Sequence, residues 1–194
     1  MFLSEPDETD PDVRRLYDAD LADEGYVMNL TRAWAHVPDV TAAYERFART
    51  AAAAAGELSL RDKGVVVTAM AATLGDSYCA TAWGTRLAEA SSAEVSVAVL
   101  TGDATGLDPR EQALARWTRL VTRDPNSTTP TDVEELRAVG FTDRQIAALT
   151  CYIAARIAFA TVNDALGSRP DRQLAEQAPE AVRAAITFGR PAGT

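Results

Sequence analysis

A chain of 194 residues with 47% hydrophobic and 24% charged side chains can bury a full core, which excludes disorder throughout. Its net charge of −9 repels a phosphate backbone, and the acidic opening "MFLSEPDETDPDVRRLYDADLADEGY" lacks the basic character of a helix-turn-helix repressor, so no nucleic-acid partner is expected. The apolar content leans on alanine and leucine, the best helix formers, with only 7% aromatics, which predicts an all-α protein packed over small side chains.

Residues 1–12 carry Glu5, Asp7, Glu8, Asp10 and Asp12 and read as an acidic N-terminal arm, extended or loosely docked, ahead of one helical domain over 13–194. A short helix is expected from Val13 to Asp20. Asp39 is placed to cap a second that begins at Val40 and runs through Tyr44, Phe47 and the Ala51–Ala55 tract to Gly56. In "LSLRDKGVVVTAMAATLG", Ser59 is the cap, Asp62 lies in the first turn and Gly75 is the stop. The β-branched run Val65-Val66-Val67 would by itself suggest a strand, but the cap, the length and the alanines after it predict a fully buried helix. "DSYCATAWGTRLAEA" continues as a helix with Asp76 near its cap, which completes a central antiparallel pair.

Further on, "LDPREQALARWTRLVTRDP" has Asp108 at the cap, Pro109 at the first helical position and Glu111 in the first turn. Its start echoes "LSLRD", a sign of an internal helical repeat. "TDVEELRAVG" predicts a capping box from Thr131 to Glu134 with a stop at Gly140, and its alternating charges suit a solvated face. "TDRQIAALTCYIAARIAFATVNDALG" has Thr142 and Gln145 as its box and Gly167 as its stop. Being apolar nearly all round, it is expected at the centre of the protein. A last helix is expected from Pro179 to Phe188.

No basic-then-apolar leader opens the chain, and the stretch "GVVVTAMAATLG" is shorter than the ~20 residues a bilayer requires, so no membrane partner and a cytoplasmic location are expected. Cys79 and Cys151 are the two cysteines and His36 the one histidine; none has a partner at metal-ligand spacing, so neither a metal nor another cofactor is expected. His36, in "RAWAHVPDV", suits a loop-packing role better than a proton shuttle.

The segments "LSLRDKGVVVTAMAATLGDSYCATAWGTRLAE" and "LDPREQALARWTRLVTRDP…TDVEELRAVGFTDRQIAALTCYIAARIAFATVNDALG" resemble the alkylhydroperoxidase D (AhpD)-like / carboxymuconolactone decarboxylase family. The first resembles the family's central helix pair and the second the C-terminal half of its peroxidase-related branch, and "GYVMNLTRAWAHVPDV" is similar to that branch's N-terminal lead-in. The resemblance implies an AhpD-like helical fold and a homo-oligomer. It also implies a redox motif Glu-x11-Cys-x2-Cys-x3-His, in which one thiolate attacks a peroxide, a second cysteine resolves the sulfenic acid, and Glu and His move protons. With Cys79 at the second cysteine, the first falls on Asp76, the glutamate on Gly64 and the histidine on Trp83. A register with Cys79 first fares no better. The motif is degenerate.

Two functions stay open from the sequence. One is a divergent peroxidase-type oxidoreductase with Cys79 as its single reactive thiol. The other is a catalytically inactive family member acting as a small-molecule-binding or oligomeric scaffold protein. A lactone-type decarboxylase is a weaker third, because its acid–base histidine is not found where expected. The candidate pocket comprises Tyr78, Trp83 and Arg86 on the Cys79 helix and Tyr152, Arg156 and Asn163 on the later one, for a small organic or peroxide ligand. Arg156, in a mostly apolar helix, should either pair with an internal acid or bind an anionic ligand.

Overall fold

In the computed structural model, which describes residues 1–56 and 58–193, the chain runs α1 (Pro11–Asp23), α2 (Asn29–Trp34), α3 (Pro38–Ala54), α4 (Leu60–Leu74), α5 (Ser77–Ala90), α6 (Ala93–Thr101), α7 (Pro109–Arg123), α8 (Pro130–Ala138), α9 (Asp143–Ala165), α10 (Arg172–Gln177) and α11 (Glu180–Ala185). No strand occurs among the described residues.

The centre of the packing is α4, which lies against α5, α6, α7 and α9. Val65, Val66, Val67, Ala69, Met70 and Ala71 are all fully buried along it. Burial on every side outweighs the strand preference of the valines, since a residue that packs all round is stabilised by the area it removes from water. Ser59 and Asp62 form a capping box at its start, and Gly75 ends it in the left-handed conformation. Asp76 then caps α5, so two residues make the turn of the antiparallel pair.

The echo between "LSLRD" and "LDPRE" proves to be a reciprocal junction. The N-termini of α4 and α7 meet, and each second-position arginine pairs with the third-position acid of the other helix: Arg61 with Glu111, and Arg110 with Asp62. Both acids are buried and already occupied in their own capping boxes, so each carboxylate serves two helices.

Several boundaries differ from the sequence reading. The first helix starts at Pro11 under an Asp10 cap. The third starts at Pro38, with Val37 in the cap position and Asp39 inside the first turn. The box of α8 is Thr129 with Asp132, not Thr131 with Glu134, because Pro130 takes the first helical position, where its missing N–H costs nothing. The last expected helix is shorter, Glu180–Ala185, and α2, α6 and α10 were not anticipated.

The long apolar helix α9 is a correction of a different kind. It is long and apolar enough by length and composition to cross a bilayer, yet it carries Arg156 near its middle and packs one side on α3, α4 and α7. Its other side, Ala147, Cys151, Ala154, Ala158 and Thr161, is exposed. Alanines count as apolar in a periodicity, but each buries so little area that a face of them loses little by meeting water.

Candidate functional site

Three helices, α5, α9 and α3, converge on Cys79. Asp76 at the α5 cap accepts the Cys79 N–H on Oδ1 at 3.0 Å, which fixes the first turn and holds the carboxylate beside the thiol. From α9, an amino group of Arg156 reaches Cys79 Sγ at 3.7 Å, and Tyr152 lies one turn earlier. Trp83 (α5) and Phe159 (α9) lie under the guanidinium, with its carbon 5.5 Å and 4.9 Å from their ring centres. Tyr44 comes from α3 and forms an aromatic trio with Phe159 and with Trp34 of α2, with ring centres 5.0 to 5.2 Å apart.

Cys79 is only 2% exposed. Burial first, and the Asp76 charge second, push its thiol well above the ordinary value, while Arg156 pulls the other way. Burial also raises the Asp76 carboxyl, against its hydrogen bonds to Cys79. Among the described residues no carboxylate lies within ion-pair distance of Arg156, so the internal salt bridge that the sequence left open is not what the helix carries. Arg156 Nε, the Tyr44 hydroxyl and Asp76 Oδ2 are buried without a hydrogen-bond partner. Buried polar atoms are normally paired, so three orphans around one sulfur mark a place built for something other than packing.

The residues expected in a pocket separate into two groups. Trp83, Tyr152 and Arg156 surround Cys79. Arg86 stacks on the Trp83 ring from its other neighbourhood, 5.3 Å from the centre, and pairs with Glu24 at 3.3 Å near the surface. Tyr78 points elsewhere, donating its hydroxyl to Asp171. Asn163 supports the aromatic trio, its Oδ1 accepting from Trp34 Nε1 at 2.9 Å. Cys151 is exposed and free, so it is no resolving partner for Cys79, and His36 lies at the surface beside the Ser4 carbonyl, 3.0 Å away. Helical spacing already put the Asp76 charge one turn from Cys79 and Phe159 on the face of Arg156, whereas the contributions of Tyr44 and Trp34 were not legible in the sequence; the one local signal was the aromatic spacing Tyr44–Phe47 on a helix, which did not say which ring turned inward.

Asp164, one turn beyond Ala160 on α9, is lifted to about 6, by burial first and the Asp76 charge second, with Arg190 at 3.8 Å opposing them. A carboxyl raised in the folded state contributes stability below its unfolded value and loses it as pH rises through the folded one. Asp164→Asn is therefore expected to raise the melting temperature at about pH 8 and to leave it unchanged at about pH 4. Thermal unfolding at the two pH values reads this, and an equal shift at both would contradict it.

The helical arrangement is that of the AhpD-like fold. Residues 38–120 match the carboxymuconolactone decarboxylase family model. The fold is shared with an AhpD-core, peroxidase-related protein from Ralstonia eutropha JMP134 (TM-score 0.79, 22% identity, covering 90% of this chain and 94% of that one). It is shared equally with a peroxidase-related protein from Silicibacter sp. TM1040 (TM-score 0.79, 18% identity, 90% and 93%). A cysteine-to-alanine variant of the debrominase Bmp8, in complex with 2,3,4-tribromopyrrole, is similar at TM-score 0.70 and 14% identity over 96% of both chains. No curated protein sequence matches the chain. The chain thus shares the AhpD-like fold and is similar to the carboxymuconolactone decarboxylase family over residues 38–120.

Proposed function

We propose that this protein is a one-cysteine, peroxidase-type oxidoreductase in which Asp76 takes over proton handling and Arg156 holds the thiolate. The observation that carries this is the guanidinium placed 3.7 Å from Cys79 Sγ without a carboxylate of its own among the described residues.

Burial alone would argue against a reactive thiol, because an isolated thiolate is penalised there. The cluster alters the comparison. With a neutral thiol, an Asp76 carboxylate and an Arg156 cation, its net charge is zero. Moving the proton from Sγ to Asp76 leaves that sum unchanged and places the new thiolate against Arg156. The exchange thus avoids most of the desolvation cost that a proton lost to solvent would carry. The thiolate then attacks the distal oxygen of a hydroperoxide, the O–O bond breaks, and the departing alkoxide takes the Asp76 proton. The sum is Cys–SH + ROOH → Cys–SOH + ROH. With Cys151 on the surface, recycling falls to an external low-molecular-weight thiol: one molecule displaces water to give a mixed disulfide, and a second releases the Cys79 thiol with formation of the small disulfide. A cavity of about 250 Å³ is walled in part by Trp34, Tyr44 and Phe159, and the Phe159 ring also packs on Arg156, while Cys79 does not line the cavity.

The test is sulfenic-acid trapping after hydroperoxide treatment. Wild-type protein should give one adduct at Cys79, Cys79→Ser none, and Arg156→Met a rate lower by about 100-fold, the scale of losing a preorganised charge partner. Absence of any adduct in folded wild-type protein would remove the oxidoreductase reading. The second reading, a silent binding protein, is favoured by the near-complete burial of Cys79. The similar debrominase holds its bromopyrrole with the cysteine replaced, which supports binding without the thiol. Quenching of Trp34 fluorescence by a small aromatic, undiminished in Cys79→Ser, would support that reading.

A further inference from the structure

Away from the thiol cluster, one face of α7 carries Arg116, Arg119 and Arg123, spaced by three and four residues. Together with the loop from Gly102 to Leu107 they line a cavity of about 390 Å³. Arg116 is spoken for, bonded to Asp132 at 3.0 Å and Glu135 at 2.7 Å. Arg119 and Arg123 are not: among the described residues no carboxylate lies within 4.0 Å of either. Arg119 is half-buried and donates one bond, to the Val99 carbonyl at 2.7 Å in the last turn of α6. Burial, and then the nearby Arg123 charge, pull its guanidinium below the ordinary arginine value. The one acid lining the cavity, Asp103, has its carboxylate engaged by its own loop, with Ala104 N at 2.6 Å and Thr105 Oγ1 at 2.8 Å.

A structural role accounts for part of this. Arg119 sits at the C-terminus of α6 and Arg123 in the last turn of α7, and each helix end carries about half a negative charge. Two full cations exceed two half charges, and the excess faces a cavity in a chain whose net charge is −9. Arg119 is half-buried and Arg123 exposed beside it, and an anion between them would offset the repulsion of the two like charges. The planar guanidinium fork matches a tetrahedral oxyanion, and the cavity is larger than a bare phosphate, with Leu107, Ala115 and Leu120 as apolar wall.

We propose that this cleft binds a small organic phosphate, the phosphoryl group between Arg119 and Arg123 and the carbon portion against Leu107, Ala115 and Leu120. The site shares no residue with the Cys79 cluster and stands whether or not the thiol is reactive.

The test is calorimetric titration of the full chain with phenyl phosphate and with inorganic phosphate at matched ionic strength. Saturable one-to-one binding is expected for both, tighter for phenyl phosphate. Arg123→Gln, at an exposed residue without a partner, should weaken binding about tenfold or more, as loss of a charge-assisted bond does. Arg119→Gln should do the same, and Lys63→Gln on α4 should leave affinity unchanged. Three results would overturn the proposal: no saturable binding of either ligand, unchanged affinity in Arg123→Gln, or Arg119→Gln lowering the melting temperature while phosphate affinity stays at the wild-type value. Equal affinity for the two ligands would overturn the organic part of it.

Discussion

Gly64→Glu, which puts a glutamate where the resemblance to the AhpD-type motif would place one, is expected to unfold the protein rather than to complete that motif. A Cβ at position 64 would sit 3.0 Å from Leu87 Cβ and 3.3 Å from Leu87 Cα, on the facing helix of the central pair. Even Gly64→Ala should cost about 1–3 kcal/mol, the usual penalty for overpacking a full core. The glutamate adds a buried charge with no partner, worth several kcal/mol more. Urea unfolding monitored by circular dichroism reads both. A Gly64→Glu protein with wild-type stability would show that α4 and α5 separate readily. Glycine at position 64 is therefore a packing feature of this chain: without a side chain there, the two helices close on each other, and the position has no room for a proton-handling carboxyl.

Asp76→Asn is expected to slow hydroperoxide-driven sulfenic-acid formation at Cys79 by about 10²–10⁴-fold, the range for removing a general acid–base group. Asparagine caps a helix as well as aspartate does, so α5 should be retained. Because burial raises the Asp76 carboxyl, its charged form is the disfavoured one in the folded protein. The variant should therefore be at least as stable as wild type above the ordinary carboxylate range, with the gain vanishing below it. The pairing of the two readouts separates chemistry from structure. A variant as reactive as wild type would reduce Asp76 to a helix cap. A variant that loses reactivity together with stability would show that the cap, not the proton, was what mattered.

Local chemistry is what the sequence by itself determined. The capping boxes of α4, α7 and α9, the proline at the first position of α7, and the glycine that ends α4 are decided within a few residues, by which backbone donors a side chain can reach. The buried character of α4 was equally local. The tertiary structure decided what those residues meet. It made the central helix α4 rather than α9, because valine and methionine bury area that alanine does not have. It turned two similar helix starts into the interlocked Arg61–Glu111 and Arg110–Asp62 pairs. It left Cys151 on the surface and set Arg156, more than seventy positions from Cys79, against the sulfur. A periodicity reports which side of a helix is apolar; it carries no information about which other helix arrives there, and the charge balance around the thiol depends on that arrival.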